Sequence, residues 1–69
     1  MKILFSERIR QLRLEQSMTQ KSFAKFLDLP KDRISAWEQG GLPRAFNLFY
    51  LSDKLNVSAD FLVGRSNHR

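Results

Sequence analysis

A chain of 69 residues with twelve Lys/Arg against seven Asp/Glu, a formal charge of +5, has room for one small domain and excludes a two-domain enzyme. Hydrophobic residues at 42%, including six Phe and one Trp, give a globular rather than a disordered composition, and a chain this short buries only about 60% of its unfolded surface, so its core must be efficient. Cysteine is absent, which removes disulfides and thiolate metal sites and fits a reducing compartment.

Gly and Pro fall at five positions, Pro30, Gly40, Gly41, Pro43 and Gly64, and punctuate what reads as a series of helices. The first helix is predicted from about Ser6 to Gln16, with Phe5, Ile9 and Leu12 at helical spacing, Ser6 as its N-cap and Leu14 on the opposite face. Thr19 offers an N-cap for a second helix to about Leu27, whose Phe23, Ala24 and Leu27 share a face. Asp28 has turn chemistry, since Asp tolerates the left-handed backbone conformation. Pro30 opens a third, short helix and Gly40 ends it. A fourth runs from about Arg44 to Leu55, with Ala45, Leu48, Leu51, Ser52 and Leu55 on one face. Ser58 caps a last turn through Leu62 before Gly64. No stretch after Lys2 to Phe5 alternates as a strand would. The expected fold is all-α, five short helices.

The third helix divides into two faces. At about 100° per residue from Ile34, Trp37 falls near 300° and Glu38 near 40°, both toward the core. Asp32, Ser35, Ala36 and Gln39 cluster near 150°, a small, polar face without bulky obstruction. Such a helix fits either a plain solvated surface or a groove about 12 Å wide, like the major groove of B-DNA. A sequence pI near 10.3 favours a polyanionic partner. Residues 1–33 carry eight basic and four acidic side chains and residues 34–69 carry four and three, so the first half would face the anion.

The segment TQKSFAKFLDLPKDRISAWEQG, Thr19 to Gly40, preceded by RIRQLRLEQSM, resembles the Xre/Cro-like helix-turn-helix family of bacterial and phage regulators. The resemblance is carried by Gln20, Ala24, Leu29, Ile34, Trp37, Glu38 and Gly40. It continues through LSDKLNVSADFLVG in Leu51, Leu55, Val57, Asp60, Leu62 and Gly64, and so covers about Phe5 to Gly64. It implies a compact lambda-repressor-like domain occupying residues 1–69, with the helix-turn-helix at 20–39 and a frayed tail at 65–69. The chain departs from the family pattern in three places. Asp28 stands where the family usually has Gly, Pro30 replaces the usual Ser/Thr cap, and the loop Gly40–Pro43 is about one residue shorter than its commonest form.

The resemblance also implies roles. Gln20 would contact a phosphate and brace the recognition helix, with Thr19 beside it either as a second contact or as a simple cap. Lys31, Asp32, Ser35 and Ala36 match base-reading positions; Asp32 would accept from a cytosine amino group or merely complement the helix dipole. Gln39 and Arg44 match phosphate contacts, Arg44 being otherwise a solvated cation. Glu38 points inward by periodicity and requires a cation; Arg13 flanks the Ile9/Leu12 face, and family members pair these two positions, so a two-pronged Arg13–Glu38 bridge is expected.

On the fourth helix Phe46, Phe49 and Tyr50 face away from the leucine side. They would form a two-fold dimer or partner-protein surface, unless Phe46 or Phe49 folds under the Gly41–Pro43 loop. His68 is the single histidine and sits near the end of the chain, and the carboxylates are scattered, so no catalytic residues, metal site or cofactor are expected. No apolar run reaches the length of a membrane span, and Met1 to Phe5 is too short for a signal peptide's apolar stretch. The expectation is a cytoplasmic, bacterial or phage-encoded, sequence-specific binder of double-stranded DNA. It would be a transcriptional repressor on a palindromic operator, homodimeric at least on DNA and controlled by its concentration, a partner or proteolysis. The alternative is an antitoxin-like or adaptor module that uses the same scaffold to hold a protein partner.

Overall fold

The computed structural model describes residues 2–69. Among them stand five helices and no strand: α1 (Phe5–Glu15), α2 (Gln20–Leu27), α3 (Lys31–Glu38), α4 (Ala45–Leu55) and α5 (Ala59–Val63). None of these helices is long and apolar enough to cross a membrane.

Local chemistry sets most of the boundaries. Thr19 Oγ1 accepts from the Ser22 N–H at 3.1 Å and Ser58 Oγ from the Phe61 N–H at 2.9 Å, each satisfying a donor that a helix start leaves free. Asp28 ends α2 in the left-handed conformation, φ 59°, and the Asp28 and Leu29 N–H groups bond back to the carbonyls of Lys25 and Ala24. Pro30 precedes α3 with φ −64° and no side-chain cap. Gly64 closes α5 with φ 95°, and a Cβ there would lie 2.8 Å from Leu4 Cγ, so only glycine lets the chain start pass this close. The Leu4 N–H donates to the Val63 carbonyl at 3.0 Å at the same crossing.

Ser6 does not cap α1. The helix begins one residue earlier, with Leu4 at the cap and the Arg8 N–H closing the first turn on the Leu4 carbonyl. The Ser6 hydroxyl instead donates to the Trp37 carbonyl at 2.6 Å and ties the start of α1 to the end of α3.

The core is one cluster drawn from every helix. Phe5, Ile9 and Leu12 of α1 meet Phe23, Ala24 and Leu27 of α2, Ile34 and Trp37 of α3, Leu51 of α4, and Val57, Phe61 and Leu62 at the end of the chain. Phe5 and Trp37 pack edge to face with centroids 5.7 Å apart. At about 25 cal/mol per Å² each such aromatic supplies several kcal/mol of burial. α4 is held less deeply than its pattern suggests. Leu51 alone is fully buried, Leu48 and Leu55 are partly covered, and Ala45 is exposed rather than packed.

Residues 65–69, expected to fray, are held against the body. The Ser58 N–H donates to the Arg69 carbonyl at 2.6 Å, Arg8 donates to Asn67 Oδ1 at 2.9 Å, and the Arg69 guanidinium grips the Glu15 carboxylate while lying 5.2 Å from the Phe61 ring centroid. Glu15 and Arg69 are 54 positions apart, a pairing that no local pattern announces.

Candidate nucleic-acid interface

α3 is fixed from behind before anything is offered in front. Ile34 and Trp37 anchor its inner face in the core, and Glu38, the one buried charged residue among those described, lies beside them. Leaving that carboxylate unpaired would cost several kcal/mol, and four donors meet it. Arg13 approaches with two prongs, Nε to Oε2 at 2.7 Å and Nη2 to Oε1 at 3.0 Å; Gln20 Nε2 donates to Oε1 at 3.3 Å and Arg10 Nε to the same oxygen at 3.4 Å.

The Glu38 side chain is 1% exposed and that of Arg13 14%, whereas Arg10 at 58% stands at the rim. Burial pushes the Glu38 carboxyl up, but the hydrogen bonds from Arg13 and Gln20, with the charge of Arg13 and the Arg10 contact, outweigh it and hold it below the ordinary carboxylate range. The Arg13 guanidinium is raised in turn, chiefly by its bond to Glu38. Arg13 Nη1 also donates to the Met18 carbonyl at 2.9 Å, so one side chain links α1, the α1–α2 turn and α3. The structure thus brings Arg13, Gln20 and Glu38 together. Arg10 belongs to the same cluster and was not singled out from the sequence, although its position one turn before Arg13 on α1 carried the signal.

The opposite face of α3 is open. Lys31, Asp32, Ala36 and Gln39 are exposed and Ser35 is half-buried. Gln39 Nε2 donates to Ser35 Oγ at 3.3 Å. Thr19, exposed, and Gln20, half-buried, stand at the start of α2. Arg44, exposed, occupies the cap of α4 beyond the Gly40–Pro43 loop. That loop leaves α3 through Gly40 at φ 115° and passes so close to it that a Cβ on Gly41 would lie 2.9 Å from the Ala36 carbonyl oxygen. The Gly41 N–H uses the approach to bond that same oxygen at 2.9 Å. Arg33, also exposed on α3, was not among the residues picked from the sequence.

The aromatic face of α4 splits. Phe46 is 79% and Phe49 65% exposed, and neither folds under the preceding loop. Tyr50 does not stand with them: it is half-buried, and its hydroxyl donates to the Leu27 carbonyl at 2.8 Å, a polar tip satisfied at the end of α2.

A helix-turn-helix family model matches residues 9–62, from the middle of α1 to the last turn of α5. No curated protein and no solved structure matches the chain.

Proposed function

The chain belongs to the Xre/Cro-like helix-turn-helix family of DNA-binding regulators, and from that premise we propose that it is a sequence-specific transcriptional repressor acting through the major groove of a palindromic operator. The observation that carries this reading is the pairing of an unobstructed, small and polar outer face on α3 with an inner face locked by the core and the Glu38 cluster. A recognition element must arrive in a fixed rotation, because base-edge contacts tolerate little misplacement. In this reading Lys31, Asp32, Ser35 and Ala36 meet base edges. Thr19, Gln20 and Arg44 hold the phosphates on either side and set the register.

In this reading the repressor acts by occupying its site. Two copies related by a two-fold axis would present two α3 helices about 34 Å apart, one turn of DNA, which is why a palindrome is expected. Phe46 and Phe49 are the surface for that dimer. The same exposed pair also suits a protein partner, as in an antitoxin or adaptor. Selection of binding sites from a random duplex library tests the reading. A repressor of this kind enriches one sequence with two-fold symmetry, and a protein-only adaptor enriches none.

A further inference from the structure

The family resemblance counts Gln39 among the phosphate contacts, but its place on α3 points elsewhere. Its N–H still bonds back to the Ser35 carbonyl at 3.1 Å, with φ −91° and ψ 5°, so the residue continues the winding of the helix. At about 100° per residue from Ile34, Gln39 falls near 140°, between Ser35 near 100° and Asp32 near 160°, with Ala36 near 200°. Lys31, near 60°, and Arg33, near 260°, border that row on its two sides, and both are exposed.

A helix lying in a groove turns its central row toward the base edges and its borders toward the phosphate walls. Gln39 lies in that central row with Asp32, Ser35 and Ala36, and the exposed Arg33 stands on a border that faces a wall. The rise of about 1.5 Å per residue sets it roughly 10 Å beyond Asp32, about three base-pair steps. α3 is only two turns long, so both ends of the row fit one stretch of groove.

The side chain carries the second observation. Gln39 Nε2 donates one hydrogen to Ser35 Oγ at 3.3 Å. This leaves the other amide hydrogen and the carbonyl Oε1 as an adjacent donor and acceptor. A phosphate, which only accepts, would leave Oε1 idle. Adenine in the major groove offers N7 as acceptor and N6–H as donor, the complement of that amide edge.

We propose that Gln39 reads an adenine in the major groove and that Ser35, besides its own place on the reading face, orients the Gln39 amide. The proposal rests on the DNA-binding reading above and refines it. It is tested by site selection from a random duplex library with wild type, Gln39→Ala, Ser35→Ala and Ser35→Thr. Competition binding at each base pair and the salt dependence of affinity accompany it, and circular dichroism confirms that these surface variants fold.

Wild type is expected to require an A·T pair at one position of each half-site. Gln39→Ala loses that discrimination, about 5- to 100-fold, at that position alone and keeps the wild-type salt slope. Ser35→Ala weakens the preference at the same position and Ser35→Thr retains it. A Gln39→Ala variant that binds every sequence more weakly with a shallower salt slope overturns the proposal and returns Gln39 to the phosphates. Unchanged discrimination in Gln39→Ala overturns it as well. A wild-type protein that enriches no sequence at all overturns the DNA-binding reading itself, and the proposal with it.

Discussion

Glu38 is where a single residue decides whether α3 is held. Its carboxylate is buried and ionised, and the Arg13 fork is its best-placed partner. Arg13→Ala leaves the charge in place with only Gln20 and the rim-standing Arg10 to meet it, and should cost about 3 kcal/mol in urea denaturation at pH 7. Arg10→Ala, at a solvated position, should cost under about 1 kcal/mol.

The pH dependence follows from the direction of the shift. A carboxyl whose folded value lies below its unfolded one stabilises the fold fully above the unfolded value, near 4.5, and loses that contribution as pH falls through the lowered folded value. The gap between wild type and Arg13→Ala should therefore narrow on acidification from pH 5 toward pH 3. A gap that stays constant over that range contradicts the assignment. Glu38→Gln should likewise remove this part of the acid sensitivity and leave the part that Glu15 contributes through its exposed pairing with Arg69.

Among the elements, the boundaries legible in the sequence are those with a local chemical cause. Thr19 and Ser58 as caps, Asp28 as a left-handed exit and the glycines after α3 and α5 each act within a few residues of themselves, so pattern alone locates them. The misreadings have tertiary causes. Ser6 has the composition of a cap, but the Trp37 carbonyl lies across α1 and takes its hydroxyl. Helical periodicity gives the direction in which Tyr50 leaves α4 but not its reach, and a phenol is long enough to bend back to the Leu27 carbonyl. Arg10 is different, since it reaches the same carboxylate from one turn before Arg13, a spacing already visible on α1.

Gly41 carries the prediction at this scale. A methyl group there meets the Ala36 carbonyl oxygen at 2.9 Å, so the loop must move off the end of α3. Gly41→Ala should lower stability by about 1–2 kcal/mol in thermal denaturation, while Gly40→Ala acts through its positive φ alone, with open space around the new methyl. An unchanged melting temperature in Gly41→Ala shows that the close approach is not needed.

At the scale of the whole molecule, one small core draws on all five helices and leaves exposed, among other side chains, the polar row of α3 and the apolar pair Phe46 and Phe49. The five-helix architecture was legible because the core residues recur at helical spacing through the chain, and the helix-turn-helix through the family resemblance carried by Gln20, Ala24, Ile34, Trp37 and Glu38. The attachment of the last five residues to Ser58, Glu15 and Phe61 was not, because every partner is remote in sequence or polar on both sides. In the proposed reading the two exposed phenylalanines of α4 serve as an association surface, since clustered exposed apolar side chains mark interaction sites. Sedimentation equilibrium should show a monomer–dimer equilibrium for wild type that Phe49→Ser shifts toward monomer without lowering stability. A wild type that remains monomeric at high micromolar concentration and also on its DNA site removes the dimer and leaves the pair to a partner protein.

Whether α3 is offered to double-stranded DNA as a reading head is decided by a band-shift titration of the selected duplex against a scrambled duplex at several salt concentrations. The expected result is a discrete complex with the selected duplex whose affinity falls steeply with salt, as several phosphate contacts require, and binding to the scrambled duplex about 1,000-fold weaker or more. Equal affinity for the two duplexes, or no discrete complex even at low salt, contradicts it.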